Sequence, residues 1–295
     1  MNILVTGANG FLGQHLVKFL ASKYNVSATS RGVCRIPSQI NCSYYPADLT
    51  DAPAVSALIT ELRPQIIVHT AANSKPDECE NNKEACLLHN VEATGNLLTP
   101  FTLMAMPGSL FIFLSTDFIF GENGPHKEDD ATGPLNFYGQ SKLLAEQLVV
   151  SSGVDHAIVR PVFIYGPVWP GLRPSFLHWV KNNLEQKKNI KVVSDQLRTP
   201  TFVTDICKGI EKIIEGHKTG SYHLAGKDLL SPYQMAIATA RVLGLDETLI
   251  ENVTSETFPE PVRRAKRSGL LIEKAREQLG YAPVSFEQGV ANTFA

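Results

Sequence analysis

The N-terminal stretch NILVTGANGFLG, residues 2–13, joins an apolar strand to an amphipathic helix through a glycine-rich turn. Gly7, Gly10 and Gly13 follow one another at three-residue intervals. A tight turn here needs residues without a Cβ atom, and the bare backbone lets a pyrophosphate reach the free N–H groups of the helix N-terminus. The segment therefore predicts a parallel α/β sheet that binds a dinucleotide at its first turn. The alternative is an ordinary strand-to-helix turn.

Short apolar runs alternate with helical patterns over the first half of the chain. The strands are predicted at 2–6, 25–30, 43–47, 65–71, 109–115 and 156–162. The helices between them are predicted at 11–23, 51–62, 83–105 and 138–150. Alternation of this kind is typical of an α/β protein with a doubly wound parallel sheet, the Rossmann architecture, in which helices cover both faces.

The alternation loosens beyond residue 165, where the Pro/Gly-rich segment GPVWPGLRP begins. Helices are predicted after it at 175–187, 204–215, 232–243 and 271–279, and strands at 190–194 and 221–225. The 295 residues suffice for one large α/β unit and a smaller one. We therefore expect a Rossmann domain at 1–165 and a smaller, intertwined C-terminal α/β substrate lobe at 166–295, with some later segments returning to the first domain.

Composition and charge exclude several classes of protein. The net charge of −2 and the pI of about 6.5 argue against nucleic-acid binding. The chain has an odd number of cysteines and no CxxC pair, which argues against a disulfide framework or a metal site. The sequence starts directly with a predicted strand and has no apolar run of the roughly 18 residues that a membrane span needs. We expect a soluble cytoplasmic protein without bound metal.

The end of the second predicted strand distinguishes between two dinucleotides. An NAD site usually carries an acidic residue there, whereas this chain has Ser30 and Arg31. An arginine pairs with a 2′-phosphate, which favours NADP over NAD. The alternative is a solvated arginine with NAD or mixed use. Asp48 and Leu49 follow the third strand, where an adenine would lie, although Asp48 is equally suited to cap the next helix.

Hydroxyl and ammonium groups converge after the fifth predicted strand. That strand ends in Ser115 and Thr116, and the following helix begins with Tyr138 and Lys142, one helical turn apart. A nearby ammonium lowers the pKa of a phenol by favouring the phenolate. Such a tyrosine transfers protons, and a neighbouring hydroxyl stabilises charge on a substrate carbonyl. The alternatives are a surface lysine and a strand-end turn.

These motifs resemble the extended short-chain dehydrogenase/reductase superfamily, through TGANGFLG, STD, YGQSK and RPVFIYGP. Four longer stretches resemble its dTDP-4-dehydrorhamnose reductase (RmlD-like) family: HTAANSKPDECE, STDFIFGENGPHKEDDATGPLNFYGQSKLLAE, DQLRTPTFVTDI and SYHLAG. The likeness covers nearly the whole chain in the expected order. It implies reduction of a 4-keto sugar attached to a nucleoside diphosphate, with hydride from NAD(P)H and a proton from Tyr138.

The resemblance also implies roles for individual residues. Thr116, Tyr138 and Lys142 match the catalytic residues, with Ser115 beside them, and Lys142 would also hold the nicotinamide ribose. The glycine turn matches the phosphate loop, and Arg31 the 2′-phosphate position. Further cofactor positions are expected at Asn9, Phe11, Leu12, Ser30, Asp48, Leu49, Ala71, Ala72, Asn90, Val162 and Phe163. Substrate positions are expected at Asn73, Asp117, Phe163 and Arg198.

One departure from the family concerns the sugar. The rhamnose-forming reductases carry a tryptophan where this chain has Phe163, and RPVFIYGP is closer to the pattern of nucleotide-sugar epimerases and dehydratases. Arg198 is suited to clamp a diphosphate, or else lies on the rim as a solvated arginine. Trp169, Arg173 and His178 lie in or near a loop expected to cover the substrate, with packing or solvent-facing roles as alternatives.

Three functions therefore remain open at this point. The first is an NADPH-dependent nucleotide-sugar reductase. The second is an epimerase or dehydratase that retains its NAD(P), and the third is a non-catalytic NADP-binding regulatory subunit like that of methionine adenosyltransferase. A homodimer formed through the helices near 83–105 and 138–150 is expected by analogy with the superfamily.

Overall fold

A parallel sheet forms the centre of the protein. The computed structural model describes residues 1–169, 171–172, 174–258 and 261–295, and all bounds and counts below refer to this part of the chain. The strands are β1 (Asn2–Thr6), β2 (Asn25–Ser30), β3 (Ser43–Pro46), β4 (Ile66–His69), β5 (Leu110–Leu114), β6 (His156–Arg160), β7 (Ile164–Tyr165), β8 (Ile190–Val193), β9 (Thr201–Phe202), β10 (Gly220–His223) and β11 (Ile250–Val253).

Helices connect most of these strands. They are α1 (Phe11–Leu20), α2 (Ala52–Leu62), α3 (Pro76–Asn81), α4 (Lys83–Leu87), α5 (Ala93–Leu103), α6 (Phe137–Ser151), α7 (Phe176–Glu185), α8 (Val203–Glu215), α9 (Pro232–Leu243), α10 (Glu273–Leu279) and α11 (Phe286–Phe294). A π-helical turn, Leu88–Glu92, separates α4 from α5. Short 3₁₀ turns lie at Asp117–Ile119, Glu247–Leu249 and Ser255–Thr257.

The strand order places a crevice beside β1. Among the described residues, seven parallel strands form one sheet in the order β10-β6-β5-β4-β1-β2-β3. The chain first proceeds outward from β1 to β3 and then returns to build the other half from β4. Connections on either side of this reversal leave in opposite directions, so a crevice opens at the carboxyl ends of β1 and β4. The predicted doubly wound fold is confirmed.

The sheet is buried on both faces. Val5 of β1 packs in the same cluster as Leu16 of α1 and Ile210 of α8. The preceding residue of the strand, Leu4, packs on the opposite face with Val55 of α2. Because successive strand residues point to opposite faces, near-continuous apolar runs such as NILVT satisfy both layers of helices.

The second half of the chain contributes to both parts of the molecule. β8 and β11 form a small parallel pair, which packs with α7 and α9 around Val180, Val192 and Ala236. β10, however, pairs with β6 in the central sheet, and α8 and α10 pack on that sheet. The chain thus returns to the large sheet after residue 165, while the boundary at 165 stays a prediction of the sequence.

Some local features differ from the sequence prediction. The helix predicted at 83–105 is divided into α4 and α5 by the π-helical turn at Leu88–Glu92. Its start agrees with the prediction, since Asn82 caps α4 by accepting from the Ala85 N–H. Helix α3 and the two-residue strands β7 and β9 were not predicted, because segments this short carry little periodicity. Helix α11 and strand β11 were not predicted either. In the described part of the chain, no helix is both long and apolar enough to span a bilayer.

A buried ion pair fixes α6 against the sheet. The guanidinium of Arg160, at the end of β6, donates to both carboxylate oxygens of Glu146 on α6 at 3.0 and 2.8 Å. Arg160 also donates to the Glu128 carbonyl oxygen at 3.0 Å, and both ionic groups are almost fully buried. A pair of this kind depends on each partner, because removing one leaves an uncompensated buried charge.

We therefore expect Arg160→Met to lower the free energy of unfolding by about 3 kcal/mol or more. The double variant Glu146→Met/Arg160→Met should recover most of this loss, since it removes both charges. Urea denaturation monitored by circular dichroism measures the effect. Arg241→Met is a matched control, because Arg241 makes a similar two-pronged pair with Glu247 at an exposed site and should cost at most about 1 kcal/mol. Equal losses at the two sites would contradict the prediction.

Candidate active site

The glycine turn after β1 lies against the loop that follows β4. Gly7 has a φ of +67°, and a Cβ atom there would lie 2.6 Å from the Ala71 nitrogen. The Gly10 N–H donates to the Gly7 carbonyl at 2.8 Å, and a Cβ at Gly13 would collide with that same carbonyl. A side chain at Gly7 would thus need both a disfavoured backbone conformation and a displaced neighbouring loop. The turn leaves its backbone open at the N-terminus of α1.

A first cavity of about 860 Å³ opens directly above this turn. It runs along the carboxyl ends of β1, β2, β4 and β5, as expected for an open α/β sheet. The predicted cofactor residues on its walls are Gly7, Gly10, Phe11, Leu12, Gly13, Ser30, Arg31, Asp48, Leu49, Ala71, Ala72, Tyr138 and Lys142. Asn73, expected at the substrate, also lines this cavity.

Asn9 supports the first cavity without lining it. Its amide nitrogen donates to the carbonyls of Arg31 at 3.1 Å and Val33 at 2.9 Å, and its amide oxygen accepts from the Arg35 N–H at 2.8 Å. The side chain therefore ties the glycine turn to the loop after β2. This bracing holds Arg31 beside the cavity.

Asn90 is buried behind the loop that follows β4. Its amide oxygen accepts from the Asn73 N–H at 2.7 Å, and its amide nitrogen donates to the Asn73 carbonyl at 3.1 Å and to Ser141 Oγ at 2.9 Å. Ser141 in turn donates to the Tyr138 carbonyl at 2.8 Å. Asn90 therefore couples this loop to α6 and lies outside both cavities. It does so from the π-helical turn, a feature that often occurs at functional sites.

Arg31 and Asp48 face each other at the outer end of the first cavity. Their charged groups are 4.0 Å apart, and the Arg31 side chain is 65% exposed. The N–H of Thr50 is the main cause that lowers the pKa of Asp48, with a smaller contribution from Arg31. Asp48 does not cap α2, because Asp51 does so by accepting from the Ala54 N–H at 3.0 Å. Both side chains line the cavity at its mouth, where a ligand would meet them.

Tyr138 and Lys142 lie on the buried face of α6. The Asn136 side chain caps the N-terminus of the helix, where it accepts a hydrogen bond from the Gly139 N–H at 3.0 Å. The Lys142 ammonium lies 4.0 Å from the centre of the Phe113 ring and faces the first cavity. Burial lowers the pKa of Lys142 to about 7, although the Glu146 carboxylate acts in the opposite direction. The lysine therefore titrates close to neutral pH.

Burial raises the pKa of the Tyr138 phenol, and a hydrogen bond with Thr116 acts against this. The expectation that Lys142 lowers the pKa of the phenol is therefore wrong for this arrangement. Lys142 carries only part of a charge near neutral pH, so its attraction for a phenolate is weak compared with the cost of desolvating that phenolate. Tyr138 consequently keeps its proton, which is the state that a proton donor needs.

A second cavity of about 690 Å³ joins the first. The two cavities share one wall, which consists of Ser74, Ser115, Tyr138, Pro161 and Ile164. Among the described residues, Ser115 Oγ is buried and has no hydrogen-bond partner. A buried hydroxyl without a hydrogen-bond partner costs free energy unless a ligand supplies that partner. Ser115 therefore marks the junction as a place where a polar atom of a ligand would bind.

Thr116, Asp117 and Arg198 form the polar wall of the second cavity. Arg198 is only 8% exposed, so it is not a solvated rim residue. Burial raises the pKa of Asp117, and the Arg198 guanidinium partly offsets this effect. Arg198 also donates to Gln196 Oε1 at 2.6 Å. The second cavity thus has a buried guanidinium in its wall that interacts with the Asp117 carboxyl.

Three aromatic rings form the opposite wall. Phe163 has a φ of +41°, which is rare for a bulky residue and costly enough to indicate a functional position. Its ring meets Phe176 edge-on at 5.9 Å, and Phe176 stacks on Trp179 at 5.8 Å. Phe163 lines the second cavity and not the first, so of its two expected positions the structure places it away from the predicted cofactor residues. Val162 is buried in the core and lines neither cavity.

The loop after β7 packs on α1. Trp169 stacks on His15 at 4.4 Å, and the His15 ring bonds the Pro167 carbonyl at 2.9 Å. His178 bonds Ser175 and contacts Phe294. Neither Trp169 nor His178 lines the two cavities. Arg173 lies outside the described residues.

Several cavity residues carry no motif in the sequence. Phe176, Trp179, Lys191 and Arg264 line the second cavity from segments far apart in the chain. Arg264 donates to Asp77 at 3.0 Å and thereby connects the segment before α10 to α3. Tertiary packing brings these four residues to the cavity, so no local sequence pattern could have predicted that they line it.

Comparisons with known proteins agree with this fold. A family model described as the RmlD substrate binding domain matches residues 1–295. The chain belongs to this family. A dTDP-4-dehydrorhamnose reductase from Bacillus anthracis, solved in complex with NADP, superposes with a TM-score of 0.85 at 26% identity, over 99% of this chain and 98% of that chain.

Two curated relatives differ in their described roles. The probable low-salt glycan biosynthesis reductase Agl14 of Haloferax volcanii is 29% identical over 99% of this chain and 96% of its own length. Methionine adenosyltransferase 2 subunit beta of Bos taurus is 30% identical over 90% of this chain and 78% of its own length. The relatives of this chain therefore include both a probable reductase and a subunit of another enzyme.

The depressed pKa of Lys142 predicts a pH-dependent stability. Between the folded pKa of about 7 and the ordinary value of 10.5, the unfolded chain binds more protons, so the free energy of unfolding rises with pH. Lys142→Met should therefore raise the melting temperature below pH 7, and this gain should vanish towards pH 10.5. Calorimetry across this range tests it, with the exposed Lys188→Met as control. A gain independent of pH would contradict the prediction.

Proposed function

We propose that the protein is an NADPH-dependent reductase of a nucleoside-diphosphate 4-keto-6-deoxy sugar, like the dTDP-4-dehydrorhamnose reductases. The observation that carries this proposal is the meeting of two cavities at Ser115 and Tyr138. One cavity opens on a glycine turn, and the other contains hydroxyls, a buried arginine and aromatic rings. A hydride donor in the first and a carbonyl in the second would meet at a proton-bearing phenol.

The first cavity fits a dinucleotide. Gly7, Gly10 and Gly13 bring a bare backbone turn to the cavity floor, and no side chain caps the N-terminus of α1 there, so its first N–H groups can meet a pyrophosphate. Its volume of about 860 Å³ is within the range of cofactor sites. When bound, the reduced nicotinamide supplies the hydride. The remaining chemistry belongs to side chains of this protein.

Tyr138 is the proposed proton donor. Its phenol is protonated at neutral pH, and it lies in the wall that the two cavities share. Ser115 and Thr116 donate to the substrate oxygen and so stabilise the negative charge that develops there. Lys142 faces the first cavity and holds the ribose hydroxyls. Its titration near neutral pH lets it return a proton to the phenol after each turnover.

Arg31 favours NADPH over NADH. It is exposed at the end of the cavity where the adenosine ribose would lie, and Asn9 braces its loop. A guanidinium pairs with a 2′-phosphate through charge-assisted hydrogen bonds. The Bacillus anthracis reductase was solved with NADP, which supports the same preference here.

The second cavity accommodates the substrate. Phe163 offers a flat apolar surface to a sugar ring, while Asp117 lies next to the catalytic hydroxyls. Arg198, Arg264 and Lys191 add three cationic groups to the same cavity, which suits a diphosphate. The nucleotide and the sugar are best identified by a panel of dTDP-, GDP-, UDP- and CDP-linked 4-keto sugars.

A regulatory subunit is the second candidate, because the Bos taurus relative is a subunit of methionine adenosyltransferase. Such a protein would bind NADPH and a partner chain but consume no NADPH with any sugar in the panel. An epimerase or dehydratase would instead retain its cofactor through purification and catalyse no net NADPH oxidation. Cofactor analysis of the purified protein and the substrate panel together distinguish the three functions.

Tyr138→Phe tests the chemistry directly. It removes the proposed proton donor, so we expect kcat to fall by about 10²- to 10⁴-fold while NADPH binding stays nearly unchanged. NADPH oxidation with the active 4-keto sugar measures kcat, and fluorescence titration measures binding. Tyr222→Phe, on β10 and outside both cavities, is the control. Wild-type turnover by the Tyr138 variant would refute the assignment.

Arg31→Ala tests the cofactor preference. Loss of the charged contact should weaken NADPH binding by about tenfold or more and leave NADH binding nearly unchanged. Dissociation constants for both nucleotides give the answer. Arg276→Ala removes an exposed arginine of α10 and should change neither constant. Equal losses for NADPH and NADH at Arg31 would overturn the 2′-phosphate role.

A homodimer through α5 and α6 is also proposed. Leu103 on α5 and Leu144 and Val150 on α6 are large apolar side chains that remain exposed, on helices that pack side by side. Light scattering should give about twice the chain mass of 32.3 kDa. Val150→Asp should shift the protein towards the monomer, whereas Lys188→Asp at a distant exposed site should not. A monomeric wild-type mass would contradict the proposal.

A further inference from the structure

Three aromatic rings follow one another through the second cavity. Phe163 is the chain neighbour of Ile164, which belongs to the wall that the two cavities share. The Phe163 ring meets Phe176 edge-on at 5.9 Å. Phe176 in turn stacks on Trp179, with ring centres 5.8 Å apart and planes 26° apart. Trp179 is therefore two ring-to-ring contacts away from the junction of the two cavities.

The exposure of these rings increases along the row. Phe163 and Phe176 are partly buried against one apolar cluster, whereas Trp179 is 41% exposed. Helix α7 packs through Leu177 and Val180, and Trp179 lies beside this buried face, where it lines the cavity. Among the described residues, Phe176 is the only ring that stacks on Trp179. Indole surface thus remains available to a planar group of a ligand in the cavity.

A cationic side chain reaches the same part of the cavity. Val180 of α7 and Val192 of β8 pack in one cluster. Trp179 and Lys191 directly precede these two residues, and both line the second cavity. Lys191 pairs with Glu251 at 3.6 Å, but both side chains are exposed, so the pair is weak and a phosphate can displace it. A flat apolar surface beside such a cation suits a nucleotide, which joins an aromatic base to phosphates.

The order of the groups in a nucleotide sugar matches the order of the rings. The keto carbon must lie at the junction, next to Ser115 and Tyr138. The sugar then lies against Phe163, and the diphosphate separates it from the nucleoside. The base is the planar group farthest from the reacting carbon, just as Trp179 is the ring farthest from the junction. A sugar ring on Trp179 would instead hold its keto carbon away from the phenol.

We propose that Trp179 is the stacking platform for the nucleobase of the substrate and thereby a residue that determines substrate affinity. The inference rests on the proposed function in one respect, namely that the second cavity takes a nucleoside diphosphate. Stacking on an aromatic side chain is possible for any base, because each base has a flat π face. Since the base is remote from the reacting carbon, stacking stabilises ground state and transition state equally. It therefore lowers KM and leaves kcat unchanged.

Tryptophan fluorescence tests the contact, because the chain contains only two tryptophans. Trp169→Phe leaves Trp179 as the sole emitter. Trp179→Phe is the matched control, since it leaves Trp169, which lines neither cavity. Each full-length variant is saturated with NADP⁺ and titrated with dTDP, UDP, GDP, CDP and inorganic pyrophosphate. We expect at least one nucleoside diphosphate to quench Trp179 to saturation, while pyrophosphate does not quench it and Trp169 emission stays constant.

Trp179→Ala measures the contribution of stacking to affinity. We expect KM for the active sugar nucleotide to rise about tenfold with kcat nearly unchanged. Trp179→Phe keeps a flat ring and should recover most of this loss. If no sugar nucleotide is turned over, the Kd of the quenching nucleoside diphosphate from calorimetry replaces KM. The Kd of pyrophosphate should be the same for the wild type and Trp179→Ala, whereas a purely structural role of Trp179 would weaken pyrophosphate as well.

Several results would overturn the inference. They are the absence of quenching by all four nucleotides, equal quenching by pyrophosphate, and wild-type nucleotide affinity in Trp179→Ala. Trp179 emission that changes on dilution without nucleotide would assign the ring to a contact between two copies of the chain and would also overturn it. Failure of the reductase proposal is recognised separately, because no sugar nucleotide would then oxidise NADPH, while saturable quenching of Trp179 would still establish the base subsite.

Discussion

Helix α6 turns polar side chains towards the interior, and the remaining site is arranged around this constraint. Tyr138, Ser141, Lys142 and Glu146 are all buried on one side of the helix. A buried polar group is costly unless it has partners, and a buried charge more so. Arg160 neutralises Glu146, and the Phe113 ring lies against the Lys142 ammonium. These contacts let a helix with a polar inner face pack on a sheet made of apolar residues.

The same burial determines the chemistry that the site can perform. Removing Lys142 and Tyr138 from water shifts their pKa values in opposite directions, so that the phenol keeps its proton and the lysine titrates near pH 7. The phenol is then in the form that donates a proton, and a protonated Lys142 is acidic enough to return one to a phenolate. The partnerless hydroxyl of Ser115 lies at the same junction. The protein alone leaves this buried hydroxyl without a hydrogen-bond partner, and a bound ligand would supply one.

Local patterns predicted the parts of the structure that depend on neighbouring residues in the chain. The glycine turn and the spacing of Tyr138 and Lys142 belong to this class, because each lies within one strand, turn or helix. The direction of the pKa of Tyr138 did not follow from the sequence, since it depends on how deeply the phenol is buried. Trp179 and Arg264 also carried no signal, because packing between distant segments brings them to the second cavity.

The π-helical turn at Leu88–Glu92 makes this region sensitive to chain length. Such a turn holds one residue more than a regular helix of the same length, and Asn90 of the turn and Thr94 of α5 are both buried. Deleting one residue would allow an uninterrupted helix with better backbone geometry. The residues on either side would then rotate by about 100° relative to each other, so one of the two amino acids would leave its partners. Single-residue deletions should therefore be rarer among functional relatives than substitutions in this segment.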